Sequence, residues 1–318
     1  MLPGNGTGKE EDRVDRWTQL RMQVQEIASS VPGTIGVAVK DLATAGEFHY
    51  QSDQLYPLAS VFKIPILVEL YRQAGLGLVN LDERYTLTTG IKSFGSGVLR
   101  DFRPGASMTL WDYALLMIII SDNTATDLVA GVVGIEHIDP TLRRLGLEKT
   151  SVTKDCYHLL CDMAGIDAAL PRDQALALAR TKLMQRPETE LYPEPTCNFS
   201  TPREMNRLLE KILEPGGARS TTGELVLGPQ EQAGVMDVLM RQQLKQRLPY
   251  LLPRQVPVAH KTGTLPGVFN DCGVVFRDRE AKQPAYLISL MSKGVSAALE
   301  GPLVLARISR AVYDTLST

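Results

Sequence analysis

Pro57-Leu58-Ala59-Ser60-Val61-Phe62-Lys63-Ile64-Pro65-Ile66-Leu67-Val68-Glu69-Leu70 is the stretch in which the chain changes character. Strand signals precede it, and the apolar run over 61–70 reads as a buried helix. Ser60 therefore stands at or near a helix N-terminus, where unpaired N–H groups and the helix dipole favour a developing negative charge. Alone, such a serine reads equally well as an N-cap. Lys63 tips the balance, because at i+3 its amine falls on the same face as the Ser60 hydroxyl. A lysine driven into an apolar helix start is costly unless it is used or paired. As a neutral amine it is able to accept the serine proton, the activation that a hydroxyl nucleophile needs. Pro65 is compatible with this reading, since few backbone hydrogen bonds are at stake so close to a helix start.

Outward from this stretch, the two ends of the chain look α/β and the middle looks all-helical. Val14, Trp17, Leu20, Val24 and Ile27 recur at helical spacing, and Pro32-Gly33 stops the run. Residues 34–40 (TIGVAVK) read as a buried strand, with 47–51 as its hairpin partner across the small residues 43–46. Three more strand candidates lie at 256–264, 271–276 and 285–291, followed by a helical stripe of Leu303, Ala306, Ile308, Ala311, Val312 and Leu316. The expectation is an α/β plus all-α fold: an antiparallel sheet flanked by terminal helices, with an inserted helical lobe. Residues 14–59 and 231–318 would form the α/β lobe, 60–230 the helical lobe, and 1–13 a flexible N-terminus, the whole being one packed unit.

Composition limits the function classes. Hydrophobic residues make up 44% and charged residues 22%, ordinary for a globular protein long enough, at 318 residues, to bury a large core. A net charge of -2 argues against nucleic acid, which would favour a basic face. No apolar run reaches the ~20 residues of a membrane span, and Asp112 and Asp122 bracket the longest, 115–120 (LLMIII). Residues 1–13 lack the apolar stretch of a signal peptide, so the expectation is an intracellular protein or an exported one with its signal trimmed. Cys156, Cys161, Cys197 and Cys272 show no C-x-x-C spacing. They read as buried thiols, with a disulfide as the alternative, and no metal, nucleotide or other cofactor motif accompanies them.

Two further motifs follow Ser60-Val61-Phe62-Lys63. Ser121-Asp122-Asn123 ends the run 110–120 and opens the helical stretch 124–133, a junction at which Ser, Asp and Asn also serve as plain capping residues. Beside Ser60, Ser121 becomes a relay that hands a proton to a leaving nitrogen, and Asn123 a partner for a substrate amide. His260-Lys261-Thr262-Gly263-Thr264 continues the strand over 256–259. Lys261, Thr262 and Thr264 suit a substrate carboxylate, and Gly263 permits close backbone approach. The N–H of Thr264 together with that of Ser60 would make an oxyanion hole. A solvated strand end is the bland alternative.

S-x-x-K, S-D-N and K-T-G in this order are the signature of serine β-lactamases and penicillin-binding proteins. With Gly95-Ser96-Gly97-Val98-Leu99, 115–123 (LLMIIISDN), 200–205 (STPREM) and 261–267 (KTGTLPG), the chain resembles the class A β-lactamase and penicillin-binding protein superfamily over nearly its whole length. The resemblance implies a two-lobe fold with the active site between the lobes. It also implies a small-molecule β-lactam or peptidoglycan-like acyl substrate.

Two departures stand out. Class A enzymes carry a deacylating glutamate thirteen residues ahead of an acidic residue near the T-P landmark. Here Asn198 takes the acidic place, counting back lands on Gln185, and no E-x-x-L-N motif appears. The segment 153–197 is expanded instead, with helical periodicity over 168–183 interrupted at Pro171, and Asp162, Glu188, Glu190 and Glu194 are its candidate bases. Ordinary surface acids are the alternative reading of each. Asn270 stands where the family often has a carboxylate-binding arginine, which leaves that task to Lys261, Thr262 and Thr264. The expected activity is β-lactam opening through an acyl-enzyme with slow turnover. A peptidase or esterase of the same machinery, or a penicillin-binding module that stays acylated, are the alternatives.

Overall fold

The computed structural model describes residues 7–183, 198–277, 283–295 and 300–317. Helix α1 (Thr7–Ser29) leads into β1 (Thr34–Asp41) and its hairpin partner β2 (Glu47–Tyr50). From the other end of the chain come β3 (Val258–Leu265), β4 (Val268–Phe276), β5 (Pro284–Lys293) and the last helix, Glu300–Leu316. They form one antiparallel sheet in the order β2-β1-β5-β4-β3, so β1 pairs with β5 although some 250 residues separate them. The start of α1 lies in the stretch expected to be flexible. Residues 7–13 are helical, in keeping with their run of Lys, Glu and Arg, all good helix formers.

Side chains alternate across each strand, so the sheet feeds two cores. Ile35, Val37, Val39, Ile288 and Leu290 face the terminal helices and pack with Leu20, Val24, Leu305, Ile308 and Val312. Leu287, Met291, Cys272 and Val274 face the other way and merge with the core of the helical lobe. That lobe comprises α2 (Lys63–Gly75), α3 (Leu110–Ile119), α4 (Asn123–Val133), α5 (Ile138–Arg144), α6 (Cys156–Ala164) and α7 (Arg172–Leu183). Helix α8 (Pro202–Leu213) lies against β1 and β5, although the division at 60–230 puts it in the helical lobe. Its buried stripe of Met205, Leu208, Leu209 and Ile212 is the reason, each side chain being worth about 1.5–3 kcal/mol when removed from water. Helix α9 (Pro229–Met240) packs on both α2 and β3 and so joins the lobes.

Helix α6 is not apparent from apolar spacing, yet its ends carry local signals. The Asp155 side chain accepts from the His158 N–H, and Gly165 closes the helix in the left-handed conformation. Helices α6 and α7 share a small core of Tyr157, Cys161, Ala164, Ile166, Ala175 and Ala179. Glu188, Glu190, Glu194, Gln185 and Cys197 lie outside the described residues. Cys156, Cys161 and Cys272 are buried free thiols. No helix among the described residues is long and apolar enough to cross a membrane.

Candidate active site

Ser60 sits in a 3-10 turn, Ala59–Phe62, that runs directly into α2, and it is partly exposed. Ala59, immediately before it, is left-handed at φ 46°, a conformation costing roughly 1–3 kcal/mol for a side chain with Cβ. The surroundings hold that strain in place. The Leu58 N–H donates to the Asn198 carbonyl at 2.9 Å. Asn270 Nδ2 donates to the carbonyls of Pro57 at 2.7 Å and Leu58 at 3.0 Å, while its Oδ1 accepts from the Ser292 N–H. Asn270 is fully buried and braces the turn, so its amide is not free for a substrate carboxylate.

Strand β3 presses against this turn. A Cβ at Gly263 would stand 2.6 Å from the Leu58 carbonyl oxygen and 3.1 Å from the Ser60 nitrogen, so only glycine lets the two backbones approach. The contact lays the 263–264 backbone alongside Ser60, the arrangement that paired N–H donors require. Gly263→Ala is expected to slow acylation of Ser60 about 10²-fold, the cost of misplacing reacting groups by ~1 Å. The measurement is the acylation rate beside a thermal melt. An unchanged rate in a folded variant would mean that this contact does not set the site.

Lys63 is completely buried and donates to the Ser121 carbonyl at 2.8 Å, Ser121 Oγ at 3.1 Å and Asn123 Oδ1 at 2.8 Å. Burial disfavours the ammonium and holds its pKa below the ordinary lysine value, with Cys156, Asp127 and Asp122 pulling the other way. Ser60 Oγ is not among its partners in this state, and catalytic hydrogen bonds commonly tighten only once substrate is bound. Ser121 is left-handed at φ 59°, a second strained position, and this turns its carbonyl toward both Lys63 and Ser96 Oγ.

Asn123 also receives Ser96 Oγ on its Oδ1 and donates its Nδ2 to the Phe94 carbonyl, so both ends of the amide are engaged within the protein. Asp122 caps α4 through the Ala125 N–H and accepts from the N–H groups of Val98 and Leu99 at 2.6 and 2.9 Å. Gly97, at φ 106°, lets this loop wrap onto Asp122, because a Cβ there would lie 2.3 Å from the carboxylate. The middle residue of S-D-N thus fastens the 95–99 loop onto the site, a role that capping statistics alone do not reveal.

Lys261 is likewise fully buried, and its Nζ donates to the Thr262 carbonyl at 2.8 Å. Desolvation first, then the like charge of Lys63, push its pKa well below the ordinary value. Thr262 is buried and Thr264 exposed. The residue missed from sequence is Arg247, only 6% exposed, which reaches β3 from the segment following α9. Its guanidinium donates to the carbonyls of Gly263 at 2.7 Å and Asn270 at 2.6 Å, and it bonds Thr264 Oγ1. Nothing in its local sequence, Gln246-Arg247-Leu248, marks it out.

The expanded segment is closed at its neck by Asn198. Its Oδ1 accepts from the N–H groups of Thr153 and Lys154, and its Nδ2 donates to the Lys154 carbonyl. An asparagine can satisfy donors and an acceptor together, where a carboxylate would only accept. Buried Asp127, one turn along α4 from Asn123, accepts from the N–H groups of Cys156 at 2.7 Å and Tyr157 at 3.1 Å and faces Arg172 at 3.6 Å. Burial, then neighbouring Asp155, raise its pKa to about 7. This contact fixes the first turn of α6 against α4. Burial pushes the Cys156 thiol far above its usual range, with Lys63 opposing. Asp162 is paired with Lys154, its side chain 42% exposed. Among the described residues no group of three or more His, Cys, Asp or Glu side chains is placed to hold a metal ion.

A family model described as "Beta-lactamase enzyme family" matches residues 19–316. The chain is 24% identical to the beta-lactamase regulatory protein BlaB of Streptomyces cacaoi over 290 residues, 87% of this chain and 91% of that protein. Among solved structures, PBP-A superposes with a TM-score of 0.72 at 26% identity, covering 94% of this chain and 96% of that one. A variant of the class A β-lactamase of the last common ancestor of Gram-negative bacteria gives a TM-score of 0.74 at 25% identity, covering 93% and 97%.

Proposed function

We propose, from the premise that the chain belongs to the beta-lactamase enzyme family, that it is a serine hydrolase opening β-lactams through an acyl-enzyme on Ser60. The observation that carries this reading is Lys63, wholly buried yet within 3.1 Å of Ser121 Oγ and 2.8 Å of Asn123 Oδ1. As the neutral amine, Lys63 takes the Ser60 proton while Oγ attacks the lactam carbonyl carbon. The oxygen that becomes negative is met by the N–H groups of Ser60 and Thr264. As the C–N bond breaks, the lactam nitrogen takes a proton from Ser121, which is replenished by Lys63. Lys261, Thr262, Thr264 and Arg247 hold the substrate carboxylate.

Arg247→Gln is expected to raise the concentration of penicillin needed for half-maximal acylation roughly 10–100-fold, the worth of a hydrogen bond to a charged group. The corresponding methyl ester should be far less affected. Equal losses for acid and ester would assign Arg247 to bracing β3 instead.

A second reading, a penicillin-binding module that stays acylated, is supported by the sequence, in which Gln185 stands at the place of the family's deacylating glutamate and no E-x-x-L-N motif appears. Such a module would acylate without efficient release. Single-turnover mass spectrometry with benzylpenicillin separates the readings. A transient adduct supports the hydrolase, a persistent adduct the penicillin-binding module, and no adduct excludes both. Burst kinetics on Asp162→Asn, Glu188→Gln, Glu190→Gln and Glu194→Gln then identify a deacylation base by the variant that traps the adduct.

A further inference from the structure

A groove of about 1060 Å³ runs between α9, the segment that follows it and the ends of β3 and β4, and the reaction described above does not use it. Its floor is apolar. Met236 and Met240 come from α9, and Phe276 from the end of β4. Tyr250, 59% exposed, and Met240, 38% exposed, leave ring and thioether open to solvent, where large apolar side chains lose most by being uncovered. The size suits a drug-sized small molecule rather than a folded partner.

Charge decides which molecule. Lys245 and Arg254 are the charged groups lining the groove, and no carboxylate among the described residues lines it. Among the described residues neither cation has a hydrogen bond, an ion pair or a ring contact. Most other described arginines are tied to a carboxylate, a carbonyl or a ring, as Arg72, Arg203, Arg241 and Arg247 are. Two free cations beside an exposed aromatic and two methionines form a surface that is incomplete in charge and in apolar cover at once.

We propose that this groove binds a small amphipathic anion: one carboxylate or sulfonate held between Lys245 and Arg254, with an aromatic or acyl body lying on Met236, Met240, Tyr250 and Phe276. Methionine suits such a site because its flexible, polarisable thioether moulds to aromatic surfaces of varied shape. The bordering segment also carries Arg247, so an occupant would rest on the element that presents that guanidinium to β3.

The test uses the whole chain and anilinonaphthalene sulfonate as the anionic probe, with N-phenylnaphthylamine as the neutral one. Wild type should bind one equivalent of the sulfonate saturably. The double variant Lys245→Glu/Arg254→Glu, at exposed positions, should melt like wild type and weaken the sulfonate by about tenfold or more, while the neutral probe shifts by less than about twofold. Met236→Asp should weaken both probes. The assignment is overturned if wild type shows no saturable binding, or if the double variant binds the sulfonate as wild type does. It is also overturned if wild type sediments as a dimer that Met236→Asp dissociates, because the groove would then be covered by a second copy.

Discussion

Ser60→Ala is expected to abolish covalent labelling by a reactive penicillin. The reason is both local and tertiary. Among the described residues Ser60 alone combines a strained helix entry, a buried lysine three residues on and a facing strand whose glycine permits contact with its own backbone nitrogen. Ser121 carries a second hydroxyl beside the same lysine, but it sits at the left-handed junction of α3 and α4, where it is 4% exposed. A nucleophile needs an open line to the carbonyl carbon, and partly exposed Ser60 offers more of one. The check is mass spectrometry of intact protein and of peptides after labelling. An adduct on Ser121, or persistence of the adduct in Ser60→Ala, would overturn the assignment.

Lys63→Ala is expected to slow acylation by ~10²–10⁴-fold, the usual contribution of a positioned general base. Stability should also fall, since the substitution leaves the Ser121 carbonyl and Asn123 Oδ1 without a donor in a buried place. Rate and stability are therefore read separately, by stopped flow well below the melting temperature and by thermal unfolding. The pH dependence supplies an independent sign. Burial favours the neutral amine and lowers the Lys63 pKa, so the base-competent form becomes populated at lower pH than for a free lysine. In wild type the acylation rate should rise with pH through an apparent pKa below the 10.5 of an unperturbed lysine. That limb should disappear in Lys63→Ala. A wild-type limb at or above the free-lysine value would make Lys63 a structural cation and leave the base to be found elsewhere.

The ledger of what could be read in the chain is uneven for physical reasons. Strand β1, the hairpin to β2 and the three C-terminal strands were legible because β-branched runs between Gly and Pro punctuation report on local backbone preference. The ends of those strands shifted by a few residues, since pairing partners rather than propensity decide where a ladder stops. Helix α6 escaped notice because it is short, and its apolar side chains pack partly onto α7, so no single stripe dominates. The candidate deacylation bases Asp162, Glu188, Glu190 and Glu194 rest on their place in the expanded segment alone. Glu188, Glu190 and Glu194 lie outside the described residues, whereas the start of α6 is fixed by Asp127, a contact across 29 residues.

Sequence alone determined which residues are proposed to carry chemistry, because Ser60 with Lys63, Ser121 with Asn123, and Lys261 with Thr262 and Gly263 are each short-range patterns held by a single turn or strand. It also determined the fold class, because hydrophobic periodicity is a property of consecutive residues. Only the tertiary structure decided how those patterns are fastened. Asn270 became a brace for the Leu58 carbonyl, Arg247 arrived at Thr264 from 17 residues upstream, and Asn198 closed the neck of the expanded segment while holding the Leu58 N–H. Each of these is a polar group, side chain or backbone, meeting a partner far along the chain. Sheet register and helix packing select such a partner, and no window of neighbouring residues contains that information.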